Sequence, residues 1–449
     1  MQARETAYRI LADVENGAYA NIILDEYLRT QQLSVADRGL VTEIVYGTVK
    51  YRLKLDWIIG QLVKKSAKLE TGPRIILRLS LYQILFLERV PPSAVTNEAV
   101  KLAKKLFHAG VAGLINGVLR NYLRNPDQVI WPDSKKQPIE YLEVCFSHPR
   151  WMVARWLVRY GFAQTQKLCE FNNRPADLWI RTNTLRCSRE DLFKRLTDEG
   201  CIVEKSRRIP TGLLLLSAPP LSRLLPFAEG LFTVQDESSM LVAHVVWPAP
   251  GQEILDVCAG PGGKSTHLAQ LMENKGLIVA CDVHEHRLRL IEDNARRLGV
   301  TIIKTVLADA TKMAADHEAK YDLILVDAPC SGLGVLRRRA DSRWRKQEGD
   351  IHALAGLQKQ IIENAISLLK VGGRLVYSTC TIEPEENEEN IARIIREHPE
   401  LRAVNLISYM PYEVETDEEK LELGRGVRQY LPFADNMEGF FIAALEKTD

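Results

Sequence analysis

The chain has 449 residues, enough for about three domains of ordinary size. Hydrophobic residues make up 46%, and 59 Lys and Arg stand against 58 Asp and Glu, so the composition excludes a disordered polyelectrolyte and gives no overall attraction to a polyanion. The eight cysteines form no CxxC pair, which argues against a zinc site, and no run approaches the ~20 apolar residues of a membrane span. Residues 1–17 mix polar, acidic and apolar side chains without the apolar core of a signal peptide. The expectation is a cytoplasmic monomer with reduced thiols, no metal and no membrane partner.

Residues 1–140 read as all helix and hold 20 Lys and Arg against 14 Asp and Glu, a surplus of six that hints at nucleic acid. Residues 99–107 show the pattern well. Ala99, Val100, Ala103, Leu106 and Phe107 recur at helical spacing, while Lys101, Lys104 and Lys105 share the other face. Thr96 is the expected N-cap. Pro126, Pro132 and Pro138 mark a linker, and Trp151, Trp156, Leu157 and Tyr160 mark a further packed helix. Residues 176–235 change character. Strand-like runs at 178–182, 202–203, 213–216 and 231–234, with a helix from Ser188, predict a small α+β module. From Gln252 onward, short apolar strands alternate with helices, which predicts an α/β domain with an open, mostly parallel sheet. The acidic runs 383–389 and 413–422 read as solvated surface.

Asp256-Val257-Cys258-Ala259-Gly260-Pro261-Gly262-Gly263-Lys264 follows the first of these strands and opens a helix. A glycine-rich turn there lets backbone approach a ligand closely. A dinucleotide fingerprint is incomplete, because its third glycine is Ser265; a P-loop is incomplete, because its first glycine is Cys258. Asp282 ends the second strand, where a carboxylate can bind both ribose hydroxyls. Asp309 follows the third, at the adenine end. Acids in register at strand ends after such a turn favour a nucleoside-bearing cofactor, S-adenosylmethionine first, held by the 258–264 turn and Asp282 with Asp309 toward the adenine.

Asp327-Ala328-Pro329-Cys330 ends the fourth strand, and its lack of an aromatic residue disfavours methylation of a flat amine. Cys380 ends the next strand in Ser378-Thr379-Cys380-Thr381. Either cysteine alone reads as a buried hydrophobe; two at neighbouring strand ends change the odds. Here the sequence resembles the RNA cytosine-C5 methyltransferases, through Asp327-Ala328-Pro329-Cys330, Thr379-Cys380 and residues 234–239, Val-Gln-Asp-Glu-Ser-Ser. Tyr46-Gly47-Thr48-Val49 and residues 116–121 are similar to a NusB-like helical domain, so the likeness extends over nearly the whole chain, to the bacterial 16S rRNA branch of the Sun/Fmu type.

The resemblance implies a multidomain protein: an all-α NusB-like RNA-binding domain over 1–140, linker helices with an RRM-like module over 141–235, and a Rossmann-like methyltransferase domain over 236–449. It implies S-adenosylmethionine contacts at Cys258, Ala259, Gly260, Pro261, Gly262, Gly263, Lys264, Asp282, Asp309 and Asp327, and an RNA partner, 16S rRNA ahead of tRNA, with Cys380 as nucleophile and Cys330 assisting release. Lys264 is expected to supply positive charge nearby, and Asp327 to hydrogen-bond the cytosine, donating to N3 if protonated. One departure is Phe433, where many relatives carry histidine after the proline. Arg337, Arg338, Arg339, Arg343, Arg345 and Lys346 surround Trp344, a pattern that suits an RNA backbone and a stacked base. A non-catalytic RNA-binding assembly factor and an NTPase remain as rivals; the two cysteines weigh against the first and the missing P-loop glycine against the second.

Overall fold

The computed structural model describes residues 2–64, 66–313 and 319–448, which form two compact units. One comprises residues 1–174 together with 336–346, the other residues 175–335 and 347–449.

The first unit is helical. Its helices run Gln2–Glu15, Ala20–Thr30, Val35–Lys50, Arg52–Leu62, Thr71–Phe86, Pro92–Leu106, Ala109–Arg124, Pro138–Phe146 and Arg150–Asn173. Thr71–Phe86 is buried nearly all round, as a central helix must be. Its Arg78 donates two 2.7 Å hydrogen bonds to Asp56 and one to Glu15, so the buried charge is paired. Helix Pro92–Leu106 begins earlier than Thr96 suggested. Pro92 sits at the first turn, where a missing N–H costs nothing, and Thr96 Oγ1 bonds back to the Pro92 carbonyl. The expected lysine face is exposed, but Lys101 pairs with Glu98 and Lys105 with Glu5, which removes much of its net charge. Trp156 is buried, as expected of a packed helix.

Segment 336–346 belongs to this helical unit, and its basic cluster is not the RNA-facing stripe that the sequence suggested. Arg343 is fully buried. It donates to the Ser147 carbonyl at 3.1 Å, the Asn172 carbonyl at 3.2 Å and Asn173 Oδ1 at 3.0 Å. Trp344 Nε1 donates to the Val49 carbonyl at 2.7 Å. Arg345 binds the Gly17 and Ala18 carbonyls and lies over the Tyr19 ring, and Arg337 lies over Phe171. Of the three consecutive arginines only Arg339 is exposed. Interleaved arginine and tryptophan here grip protein backbone, because carbonyls and a phosphate backbone offer guanidinium groups the same acceptors.

The second unit carries both sheets. Strands β1 Leu178–Thr182, β2 Ile202–Lys205, β3 Gly212–Ser217 and β4 Phe232–Val234 form an antiparallel sheet in the order β2-β3-β1-β4. With helices Arg189–Asp198 and Leu225–Ala228 this is the βαββαβ arrangement of ferredoxin-like modules. The larger sheet contains β5 Glu253–Asp256, β6 Leu277–Asp282, β7 Ile303–Leu307, β8 Tyr321–Asp327, β9 Leu369–Thr379, β10 Leu401–Ala403, β11 Val427–Tyr430 and β12 Phe440–Lys447. Its order is β10-β12-β9-β8-β5-β6-β7, with β11 also on β12. Strands β5 to β9 are mutually parallel; β12 runs antiparallel to β9, β10 and β11. The apolar runs of β6 and β8 are buried, as strands covered on both faces require. Helix Glu285–Leu298 covers the sheet with Leu288, Ile291, Ala295 and Leu298 and stops at Gly299, whose φ is +75°. The chain progresses outward from β5 to β7 on one side and from β8 to β9 on the other. The switch lies between β5 and β8, where such sheets open a crevice at their carboxyl ends.

Candidate active site

The turn after β5 enters helix Gly263–Leu271 through Gly262, whose φ of +96° favours glycine. A Cβ on Gly260 would meet Asp282 Oδ2 at 2.5 Å, so the missing side chain is what lets the turn close on β6. Asp282 is almost wholly buried. It accepts from Gly260 N at 3.2 Å and His284 N at 2.9 Å. Val283 and Leu307, beside the ends of β6 and β7, leave large apolar side chains exposed. Buried carboxylate, close backbone and bare apolar surface together fit a nucleoside, with hydroxyls toward Asp282 and a flat ring on Val283 and Leu307. Asp309 caps its own turn through Thr311 N and Oγ1, and those bonds hold its carboxyl below the ordinary range. Burial pushes Asp256 up to about 7, opposed by the 2.7 Å bond from Ser265 Oγ.

A brace beneath this turn was visible in the sequence only as polar residues at a strand end. Arg181 is fully buried and donates to Gln235 Oε1, to the Gly263 carbonyl at 2.8 Å and to Thr266 Oγ1 at 3.1 Å. Asn183 bonds the Gly230 and Leu298 carbonyls and receives Gln270. The ferredoxin-like module therefore holds the helix that opens at the glycine turn.

At the switch, Lys264 Nζ lies 2.6 Å from Asp327 Oδ2 and 5.4 Å from the centre of the Phe440 ring. Ser378 Oγ donates to Asp327 Oδ1 at 2.9 Å. Both oxygens of Asp327 thus act as acceptors, one toward the Lys264 ammonium and one toward the Ser378 hydroxyl. Cys330 follows β8 and Cys380 follows β9, and because these strands are parallel neighbours the two Sγ atoms approach to 3.4 Å. The Cys380 thiol contact, then burial, then Glu386 hold the Cys330 thiol well above its ordinary range. In such a pair the first thiolate is solvated by the remaining S–H, so one proton is retained.

The acidic run 383–389 is not a solvated surface. Glu383, Glu386 and Asn387 are buried, and Glu386 takes hydrogen bonds from Ser331 N, Ser331 Oγ and Gln358 Nε2. The second run is partly engaged as well, through Glu419 and Glu422 on Arg428. Sequence reasoning missed Ser331, Gln358, Thr381, Ser378 and Glu386. The available signal was position: Ser331 and Thr381 directly follow the two cysteines.

Replacing Asp282 with alanine is expected to weaken S-adenosylmethionine by about 2–3 kcal/mol, roughly 30–150-fold in Kd by calorimetry. Asn, which keeps one acceptor, is expected to lose less. Unchanged affinity in the alanine variant would remove this carboxylate from the pocket.

The described helices include none long and apolar enough to cross a membrane. Family models match in three successive stretches: NusB family over residues 1–124, the ferredoxin-like domain of RsmF/B-like methyltransferases over 148–222, and 16S rRNA methyltransferase RsmB/F over 243–446. A Bacillus subtilis protein named probable ribosomal RNA small subunit methyltransferase B is 38% identical, covering 99% of this chain and 98% of its own. A Synechocystis protein of the same name is 36% identical over the full length of both. Among solved structures, PH0851 aligns at 29% identity and a TM-score of 0.80 over 99% of each chain. NSun6 from Pyrococcus horikoshii with SFG aligns at 29% and 0.59, over 67% of this chain and 98% of that one. A full-length relative at this identity, with the glycine turn and strand-end acids in place, is decisive: the chain belongs to the RsmB/F family of S-adenosylmethionine-dependent rRNA methyltransferases.

Proposed function

We propose that this enzyme methylates carbon 5 of a cytosine in 16S rRNA through a covalent bond between Cys380 and C6 of the base. The observation that carries this reading is the pair of thiols 3.4 Å apart at adjoining strand ends, beside Lys264 and Asp327. Bound at residues 258–264, Asp282 and Asp309, S-adenosylmethionine supplies an electrophilic methyl group. Cytosine C5 is a weak nucleophile as it stands. Addition of the Cys380 thiolate to C6 pushes electron density onto C5, which forms the new carbon–carbon bond as the methyl–sulfur bond breaks and S-adenosylhomocysteine is left. Loss of the C5 proton to solvent water then restores the double bond and expels the thiolate from C6, and the departing thiolate takes a hydrogen bond from the Cys330 S–H. Cys330, the thiol that keeps its proton, assists this release. Lys264 donates to an acceptor on the base edge and Asp327 accepts from its amino group; their mutual ion pair keeps both aimed at the switch. A base reached by the thiol on one side and the methyl on the other has left its stack. The helical unit supplies RNA affinity, and work on rRNA places the enzyme in the cytoplasm.

The test is methyl transfer from labelled S-adenosylmethionine into 16S rRNA, followed by nuclease digestion and identification of the nucleoside. 5-Methylcytidine is the expected product. A methyl group on an amine, or on tRNA alone, would replace this reading.

A further inference from the structure

We propose that Glu386 is a positioning residue that locks the Cys330 loop against the Cys380 loop, so that the methylated RNA can be released. The inference rests on the covalent reading above and goes beyond it, since it concerns a residue that touches neither cysteine's reacting partner.

Four observations converge. Glu386 is fully buried, in an acidic stretch where a solvated side chain would be the ordinary outcome. Its carboxyl holds the residue after Cys330 twice: Oε1 accepts from Ser331 N at 2.8 Å, and Oε2 accepts from Ser331 Oγ at 2.5 Å. Ser331 Oγ in turn meets Oγ1 of Thr381, the residue after Cys380, at 2.7 Å. With Ser331 donating to Glu386, Thr381 donates to Ser331, and the chain of hydroxyls ties the two loops together one residue beyond the two thiols. Finally, Gln358 Nε2 bridges Oε1 of Glu386, at 2.9 Å, to the Pro329 carbonyl on the other side of Cys330, at 3.0 Å. The clamp thus holds the Cys330 segment both before and after its thiol, whereas Cys380 has holds outside the clamp: its carbonyl accepts from Gly334 N at 3.1 Å, and Thr379 Oγ1 before it donates to Asn387 Oδ1 at 2.6 Å. A carboxyl desolvated this deeply, with its ordinary range pushed upward by burial, persists because it is fully engaged by donors.

Loss of the clamp should therefore harm Cys330 more than Cys380. Attack and methyl transfer continue, while release slows as Cys330 drifts from its place; misplacement of about 1 Å costs on the order of 100-fold. In Glu386→Gln the retained carbonyl still accepts from Ser331 N and Gln358, and the amide can donate to Ser331 Oγ, so the clamp survives without its charge.

The experiment incubates full-length enzyme with 16S rRNA and S-adenosylmethionine and measures covalent enzyme–RNA species on a denaturing gel, with kcat and KM in parallel. Glu386→Ala is expected to accumulate the adduct and to lose about 10–100-fold in kcat, with KM for S-adenosylmethionine within about twofold of wild type. Glu386→Gln is expected to restore most of the turnover. A general loss of folded enzyme would lower kcat without accumulating adduct. Should Glu386→Ala not fold, Ser331→Ala, which leaves Glu386 and Gln358 in place, is expected to accumulate adduct as well. A folded Glu386→Ala, or in its place Ser331→Ala, that clears the adduct at the wild-type rate overturns the proposal, as does a Glu386→Gln variant as impaired as Glu386→Ala. Cys330→Ser on the same gel separates the two levels. If it forms no adduct, the covalent reading itself fails; if it does and the clamp variants do not, only the role of Glu386 falls.

Discussion

Serine in place of Cys380 is expected to stop methyl transfer and to form no covalent RNA species, whereas serine in place of Cys330 is expected to trap one. The asymmetry follows from the thiol pair. A hydroxyl at position 380 is a far weaker nucleophile than a thiolate, and C5 remains unreactive without addition at C6. The expected loss is about 10³-fold or more, which corresponds to ~4 kcal/mol of activation free energy. Cys330 sits within 3.4 Å of Cys380 and is held protonated by that contact, by burial and by Glu386, so it is poorly suited to attack. Its replacement leaves the nucleophile in place and removes the group that assists departure. Single-turnover methyl transfer and a denaturing gel read the two steps separately. Exchanged phenotypes would exchange the roles, and full turnover in both variants would end the covalent mechanism.

Alanine in place of Arg343 is expected to destabilise the helical unit by about 3–5 kcal/mol, measured by urea denaturation followed by circular dichroism. Arg343 has no carboxylate beside it among its hydrogen-bond partners, and burial lowers its guanidinium to about 10. Its stabilising effect therefore lies in the acceptors it satisfies. Removal leaves two buried carbonyls and Asn173 Oδ1 without this donor and opens a cavity in place of a large side chain. Methionine should refill part of the volume and recover part of the loss, but not the hydrogen bonds. A change under about 1 kcal/mol in the alanine variant would show that segment 336–346 is not held as described. Weaker RNA binding with unchanged stability would return this cluster to the RNA.

What the sequence determined by itself was local. Helical periodicity located the buried face of residues 99–107, and short apolar runs located β6 and β8. The glycine turn, Asp282, Asp327 and the two cysteines were legible because each is tied to a strand end, and strand ends of a parallel sheet share one crevice. The choice of C5 chemistry came from resemblance, since no spacing distinguishes a nucleophilic cysteine from a buried one.

Tertiary structure decided the rest. Two thiols 50 residues apart came within 3.4 Å because β8 and β9 are adjacent. Residues 383–389 carry enough charge to read as solvated, but Glu386 is buried because donors from Ser331 and Gln358, distant in sequence, replace its water. The arginines of 337–345 presented the same ambiguity. Their charge pattern fits phosphate oxygens and backbone carbonyls equally, and the fold supplied the carbonyls of Gly17, Ala18, Ser147 and Asn172. Charge in a sequence states what a side chain needs; only the packing of distant segments decides whether water, RNA or the protein's own backbone provides it.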